Sequence, residues 1–301
     1  MPINTIATAT KFTGELDKVY VQKAVTGFLA DNTFAAKFVG AKTVSIPDVD
    51  FIGLADYDRD GGFSRGAITV SRTPYELTMD RARSLQIDRE DADETGIANL
   101  AGQILGEYVR TKVVPETDAY VLSKLYTVAA GKGHTKGYNE DTVAADLLAA
   151  INSVQDASGY DEELVAFIDS KMYGALMSTN ELTRQITISD FKQGEVNLKV
   201  KSLNGVTLIP VPSGRMMSEY VFNAGAGTDA GGFTANGGAA QVHAIVMPKK
   251  AASLVKKTEK MRIWNPDSNI DADAWKFDYR IYYDVFVKKS NLDKIYAIAE
   301  G

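Results

Sequence analysis

The residues in this chain best placed to do chemistry are carboxylates and glycines. Asp56-x-Asp58-x-Asp60-Gly61 copies the start of a calcium-binding loop, where alternating oxygens and a glycine turn wrap a hard cation. The twelfth position of such a loop needs a bidentate Glu, and here it is Ala67. A charged hairpin tip explains the run at lower cost. Gly225-Ala226-Gly227-Thr228-Asp229-Ala230 follows the apolar run Tyr220-Val221-Phe222, as a dinucleotide fingerprint would. The helix that must receive the pyrophosphate is missing, because Gly231, Gly232, Gly237 and Gly238 come next. Asp88, Asp91, Asp93 and Glu94 could form a metal or acid–base site. Arg81, Arg83 and Arg89 stand beside them, so paired charges and helix capping explain the group more simply. His134 lies in a glycine-flanked turn and His243 in an apolar run, both structural settings. Lys249-Lys250 and Lys256-Lys257 are short basic runs offset by acids, as on a solvated face. No catalytic, cofactor-binding or metal-binding residue is assigned.

Composition narrows the classes further. The chain has 301 residues, 45% hydrophobic and 24% charged, enough for one large domain or two modest ones. A net charge of −6 argues against gripping nucleic acid through a basic face, though not against enclosing it. No cysteine occurs, which excludes disulfides and thiolate metal sites. No apolar run approaches the ~20 residues of a membrane span. The N-terminus, Met1-Pro2-Ile3-Asn4-Thr5, lacks the basic-then-apolar order of a secretion signal, so a cytoplasmic protein is expected.

The element that must position everything else runs from Asp80 to about Ala130. The charged phrase Asp80-Arg81-Ala82-Arg83-Ser84-Leu85-Gln86-Ile87-Asp88 leads into Ile97, Leu100, Ala101, Ile104, Leu105, Tyr108, Val109 and Val113. Their three- and four-residue steps predict one helix face. Pro115 removes a donor and crowds the preceding turn, so a kink or break is expected there. Ala119, Leu122, Leu125, Tyr126 and Ala129 carry the spacing on to Gly131-Lys132-Gly133. Read as nearly continuous, this is a spine of roughly 35 residues, about 50 Å long.

Other pieces hang on that spine. Residues 43–79 predict a long hairpin, with Val44, Ile46, Phe51 and Leu54 on one arm and Ile68, Val70, Tyr75, Leu77 and Met79 on the other. Its tip, Ala55 to Gly66, is polar and glycine-bearing. Pro47 and Pro74 suit edge strands. A two-stranded ribbon is marginal alone, so this one must rest on its own domain or on another molecule. Residues 1–42 predict an arm carrying Phe28, Phe34 and Phe38, which either folds back or lies on a neighbouring subunit. Residues 141–260 read as α/β. Expected there are a helix over 143–154, strands near 164–168, 198–201, 206–212 and 242–247, and a helix capped by Ser170. Also expected are a Gly/Ala surface loop over 223–240 and a helical stretch over 251–257. The clearest strand alternates Phe277, Tyr279, Ile281, Tyr283, Val285 and Val287 with polar and aromatic neighbours. It is expected to pack on the spine, so that both halves of the chain share one domain.

This order of parts, with the phrase beginning at Asp80 and the helix stretch Glu107-Tyr108-Val109-Arg110-Thr111-Lys112-Val113-Val114-Pro115-Glu116-Thr117-Asp118-Ala119-Tyr120, resembles a tailed-bacteriophage major capsid protein of the Hong Kong 97 type. The likeness is strongest over 53–126 and 277–287. It implies an α+β fold with an N-arm (1–42), an E-loop hairpin (43–79), a P domain (80–140 and 251–301) and an A domain (141–250). It also implies hexamers and pentamers closing into an icosahedral head around double-stranded DNA contacted non-specifically. Implied partners are scaffold, portal and decoration proteins, with no membrane, and assembly in the host bacterial cytoplasm. Because the chain begins almost at the arm, a scaffold, if used, is expected to be a separate protein. The tip residues Asp58, Arg59, Asp60, Phe63 and Arg65, with Arg81 and Arg83 of the adjoining phrase, are the implied assembly contacts. An encapsulin-like compartment shell and an α/β small-molecule enzyme remain as alternatives.

Overall fold

The computed structural model describes residues 24–31, 37–40, 42–90, 101–178, 186–193, 196–226 and 230–300. In chain order its elements are β1 (Lys37–Val39), β2 (Thr43–Phe51), β3 (Ile68–Glu76), β4 (Met79–Asp88), α1 (Ala101–Tyr108), α2 (Val114–Gly131), β5 (Thr135–Gly137), α3 (Val143–Ser158), β6 (Leu164–Asp169), α4 (Ser170–Ser178), β7 (Ile186–Gln193), β8 (Val196–Leu203), β9 (Val206–Val211), β10 (Tyr220–Asn223), β11 (Gly232–Ala235), β12 (Val242–Pro248), β13 (Ala252–Trp264), β14 (Ala274–Val287) and β15 (Tyr296–Ala299). Strands β13, β14 and β4 make a three-stranded sheet with β14 in the middle. Strands β1 to β3 make a second three-stranded sheet, the hairpin and its flank. A seven-stranded sheet runs β5-β15-β12-β6-β9-β8-β7, and β10 pairs with β11.

The alternation read in β14 becomes a division between two cores. Phe277, Tyr279, Ile281, Tyr283 and Val285 are buried with Leu105, Val109, Val113 and Tyr120 of the spine. Edge-on ring contacts join Tyr108 to Tyr279 at 6.3 Å and Tyr120 to Tyr283 at 5.7 Å. On the opposite face Tyr282 and Phe286 bury Val44, Ile46 and Leu77 at the root of the hairpin. The spine does not break at Pro115. Val114 N–H reaches Val109 O, a five-residue step that forms a π turn over Val109–Val113. That wider turn relieves the crowding a proline imposes on the residue four back, and Pro115 falls in the first turn of α2, where no donor is needed. Residues 91–100, with Ile97 and Leu100 of the expected face, lie outside the described residues.

Tertiary pairing overrides several local expectations. The stretch from 251, expected to be helical, is the start of β13, paired with β14 from Ala252↔Val287 to Trp264↔Lys276. A 14-residue central strand needs partners for its backbone on both sides, and this outweighs weak helix propensity in a Lys-rich segment. The phrase beginning at Asp80 is likewise a strand, β4, along the other edge of β14. The stretch 223–240, expected to be a loop, contains the β10–β11 hairpin, because Tyr220, Phe222 and Phe233 give it rings to cluster.

In the seven-stranded sheet, β6 runs parallel to β9 and antiparallel to β12, and all its residues are buried. Val165 and Phe167 face the spine core, while Ala166 and Ile168 face α3 through Leu147, Ile151 and Val154. Asp169, not Ser170, caps α4 by accepting from Met172 N–H at 2.9 Å. The part of the arm described, residues 24–31, folds back onto its own chain. Phe28 and Leu29 are buried there, and the Phe28 ring lies 6.0 Å from that of Phe167.

A polar triangle ties three distant segments together. Asp284, buried, accepts from Thr78 N–H at 3.0 Å, Thr78 Oγ1 at 2.8 Å and Tyr120 Oη at 2.7 Å. It thus joins the hairpin base, the spine and β14. Burial pushes the Tyr120 hydroxyl above the ordinary phenol value, so it remains a donor throughout the physiological range. Tyr120→Phe removes that donor from a buried carboxylate and is expected to cost about 1–3 kcal/mol in urea unfolding. An unchanged midpoint would show that the triangle carries no stability.

Candidate assembly surface

The hairpin has a rooted base and a bare outer part. Strands β2 and β3 pair in register from Thr43↔Glu76 to Phe51↔Ile68. At the base, Val44, Ile46 and Leu77 are buried, and Tyr75 lies 5.1 Å from Phe286. Beyond Val49 the same alternation points apolar side chains into solvent. Phe51, Ile52, Ile68 and Val70 are each more than half exposed, Phe63 is 89% exposed and Leu54 fully exposed. Pro47 and Pro74 fall within the paired part, opposite Arg72 and Ser45.

The tip is folded by local polar chemistry. Asp58 Oδ1 accepts from Asp60 N–H at 3.0 Å, and Gly62 N–H donates to Asp58 O at 2.8 Å. Gly62 has φ +80°, which favours glycine. At Gly61 an added Cβ would come within 2.7 Å of Asp58 Oδ2. The Asp58 carboxylate is therefore spent on closing the turn. Among the described residues, no three His, Cys, Asp or Glu side chains converge to hold a metal ion. Gly62-Phe63-Ser64-Arg65-Gly66 has the spacing of a hydrolase nucleophile elbow, but it leads into β3 and not into a helix. Tyr57 and Phe63 meet edge-on at 5.2 Å across the turn. Arg59, Asp60 and Arg65 stand exposed around them.

Arg81 and Arg83 belong to a different place. Odd-numbered residues of β4 share the face of Leu85 and Ile87, which packs toward the spine. Arg81 Nε donates to Glu116 Oε1 of the spine at 2.6 Å, Nη1 to Asn223 O at 2.9 Å and Nη2 to Gly232 O at 3.2 Å. One guanidinium thus joins β4, α2 and the β10–β11 hairpin within a single chain. Arg83 reaches the glycines of that hairpin, where a Cβ on Gly225 would come within 2.9 Å of Nη1. Gly225 also has φ +72°. Residues 227–229, the middle of the fingerprint-like run, lie outside the described residues.

The other sequence candidates resolve into structural roles. Asp88 Oδ1 accepts from Glu90 N–H at 3.0 Å, and Arg89 pairs with Asp267 and Asp273. Asp91, Asp93 and Glu94 lie outside the described residues. His134 stacks on Tyr296 in the turn after α2, and His243 is buried in β12. Sequence reading missed Asp118 of the spine. It is buried and accepts from Thr26 N–H, Thr26 Oγ1 and Arg215 Nη1, at 3.1, 2.6 and 3.1 Å. Burial raises its carboxyl above the usual range, partly offset by Thr26 and Arg215. Its only sequence signal was a charged residue among the apolar ones of a helix.

No protein-family model matches the chain, and no curated protein is significantly similar to it in sequence. Its fold is nevertheless shared by solved structures. The capsid of cyanophage P-SCSP1u is similar at TM-score 0.56 with 13% identity, covering 88% of this chain and 85% of that one. The mature capsid of bacteriophage PhiM1 is similar at TM-score 0.54 with 17% identity, over 86% and 82%. A structure from Mycobacterium phage Ogopogo is similar at TM-score 0.55 with 11% identity, over 91% of both chains. At such identities the likeness rests on backbone path and not on shared side chains.

The two groups of arginines predict opposite behaviour. Arg81→Ala should lower the unfolding free energy by about 2 kcal/mol and speed amide exchange across 220–235. Arg65→Ala, at the exposed tip, should stay within about 0.5 kcal/mol of the parent. Equal losses at both positions would contradict this division.

Proposed function

We propose, from the premise that the chain has the Hong Kong 97-type capsid fold of tailed bacteriophages, that it is a major capsid protein. Its copies form hexamers and pentamers that close into an icosahedral head around double-stranded DNA, assembled in the host cytoplasm. In this reading residues 1–42 are the N-arm, 43–79 the E-loop, 80–140 and 251–301 the P domain, and 141–250 the A domain. Scaffold, portal and decoration proteins are its expected partners. The chain is assigned no catalytic role.

The observation that carries the reading is the bare outer hairpin. Its root is fixed by Val44, Ile46 and Leu77, so the ribbon has a defined direction. Its outer side chains, Phe51, Leu54, Phe63, Ile68 and Val70, are left in water. Burying five such groups gains on the order of 10 kcal/mol. Association itself costs about 4–15 kcal/mol, so a single hairpin contact roughly breaks even. In a closed lattice each subunit gives one hairpin and receives another, and later contacts are effectively intramolecular. A surface poor at making dimers can therefore be good at making shells. The same reasoning assigns Asp58, Arg59, Asp60, Phe63 and Arg65 to the contact between copies, with Arg81 and Arg83 bracing the sheet behind it.

Deleting Gly53 to Arg65 is expected to leave a folded, soluble subunit with parental circular dichroism and to abolish shells in electron micrographs, with or without a co-expressed scaffold. Shells formed at normal yield by the deletion variant would refute the assignment. Nuclease-protected double-stranded DNA inside particles from infected cells separates a phage head from a compartment enclosing an enzyme.

A further inference from the structure

His243 occupies a place that ordinary core packing does not explain. It is fully buried in β12, at the bulge between Val242 and Ala244 where the register against β15 shifts. A bulge re-aims the side chain it carries. Here it directs the imidazole between carboxylates from two different elements. Nδ1 lies 3.1 Å from Asp169 Oδ2 at the end of β6, and Nε2 lies 3.5 Å from Glu300 Oε1 just beyond β15. Neither approach is a completed hydrogen bond, and the Tyr138 hydroxyl beside them is also buried without a partner. The Tyr138 ring stacks on the imidazole at 3.8 Å.

The charged groups around the ring are mostly acidic. Asp169 also accepts from Ser213 Oγ at 3.4 Å, and from the first turn of α4. Glu300 is shared with Lys171 of α4, whose Nζ is 3.6 Å from its carboxylate and 4.9 Å from the Tyr138 ring centre. Burial, then Glu140, Asp169 and Glu300, push the Tyr138 hydroxyl above its ordinary value, which marks the negative field there. A neutral imidazole has one N–H and can serve only one of the two carboxylates; the other must face a bare lone pair. A protonated ring has two and can serve both.

We propose that His243 is a proton-operated clasp that fastens the C-terminal strand β15 to the central sheet through Asp169 and Glu300. Imidazoles change charge between about pH 5 and 8, so the clasp is closed on the acid side of that window and opens as the pH rises through it. Glu300 is half exposed, which gives the proton a route in. The inference uses contacts within one chain and does not depend on assembly.

Hydrogen exchange of the full chain at pH 6 and pH 8, corrected for the intrinsic pH dependence of exchange, tests it. Amides of β15 should be several-fold more protected at pH 6 than at pH 8, while those of α2 should not differ. In His243→Phe this difference should vanish. Should that variant fail to fold, Glu300→Gln, at a half-exposed position, should shrink the difference at least twofold. A parental chain with no pH difference in β15, or a difference unchanged in either variant, would overturn the proposal.

Discussion

One strand sets the terms for the rest of the molecule. β14 comes late in the chain, yet its inner edge pairs with β4 and its inner face rests on the spine helix. Residues 79 and 283 are register partners across some 200 positions of sequence. Such a pairing supplies no local stability until nearly the whole chain is in place. Once made, it leaves two usable faces. The inner one holds the spine, and the outer one holds the root of the hairpin through Tyr282 and Phe286. The hairpin can project as a stiff ribbon because its base is part of this two-sided arrangement.

Buried carboxylates set the angles between the pieces. Asp284 joins hairpin, spine and β14; Asp118 joins the spine to the described part of the arm and to Arg215; Asp169 joins β6 to α4 and approaches β12. An isolated buried charge would be costly, and apolar contacts of similar volume could give equal stability. What carboxylates add is geometric. Each has a few acceptor sites, and here these are filled by donors from different segments, so a small rotation of one segment breaks a bond in another. A subunit that must meet many copies of itself at fixed angles benefits more from such constraint than from further stability.

Legibility in the sequence followed the physics of period and locality. The β14 alternation and the spine spacing were plain because burial on one face imposes a regular pattern over a dozen residues or more. The hairpin was legible because its turn chemistry, from Asp58 to Gly62, is local. β13 was misread because Lys256, Lys257 and Lys260 mask its alternation, and only β14 makes it a strand. Arg81 was placed with the exposed tip because a charged side chain on an edge strand reads as solvated. Its partners, Glu116, Asn223 O and Gly232 O, come from three remote stretches that no local pattern joins. The Asp118 and His243 contacts were hidden for the same reason.

The distribution of polarity bears on how one chain can be both well folded and assembly-competent. The apolar side chains that would ordinarily signal a folding defect are concentrated on a ribbon whose own backbone bonds are complete from residue 43 to 51 and 68 to 76. Exposed apolar groups on a loose segment would collapse onto the nearest surface of the same chain. On a paired ribbon they are held away, because folding the ribbon back would break its ladder or uproot Val44 and Ile46. Proline on both arms, at 47 and 74, and charges at the tip further discourage open-ended strand addition. The surface is therefore sticky toward a shaped receptor on another copy and poor at indiscriminate aggregation. That combination is what a shell subunit needs while it waits, soluble, for its neighbours.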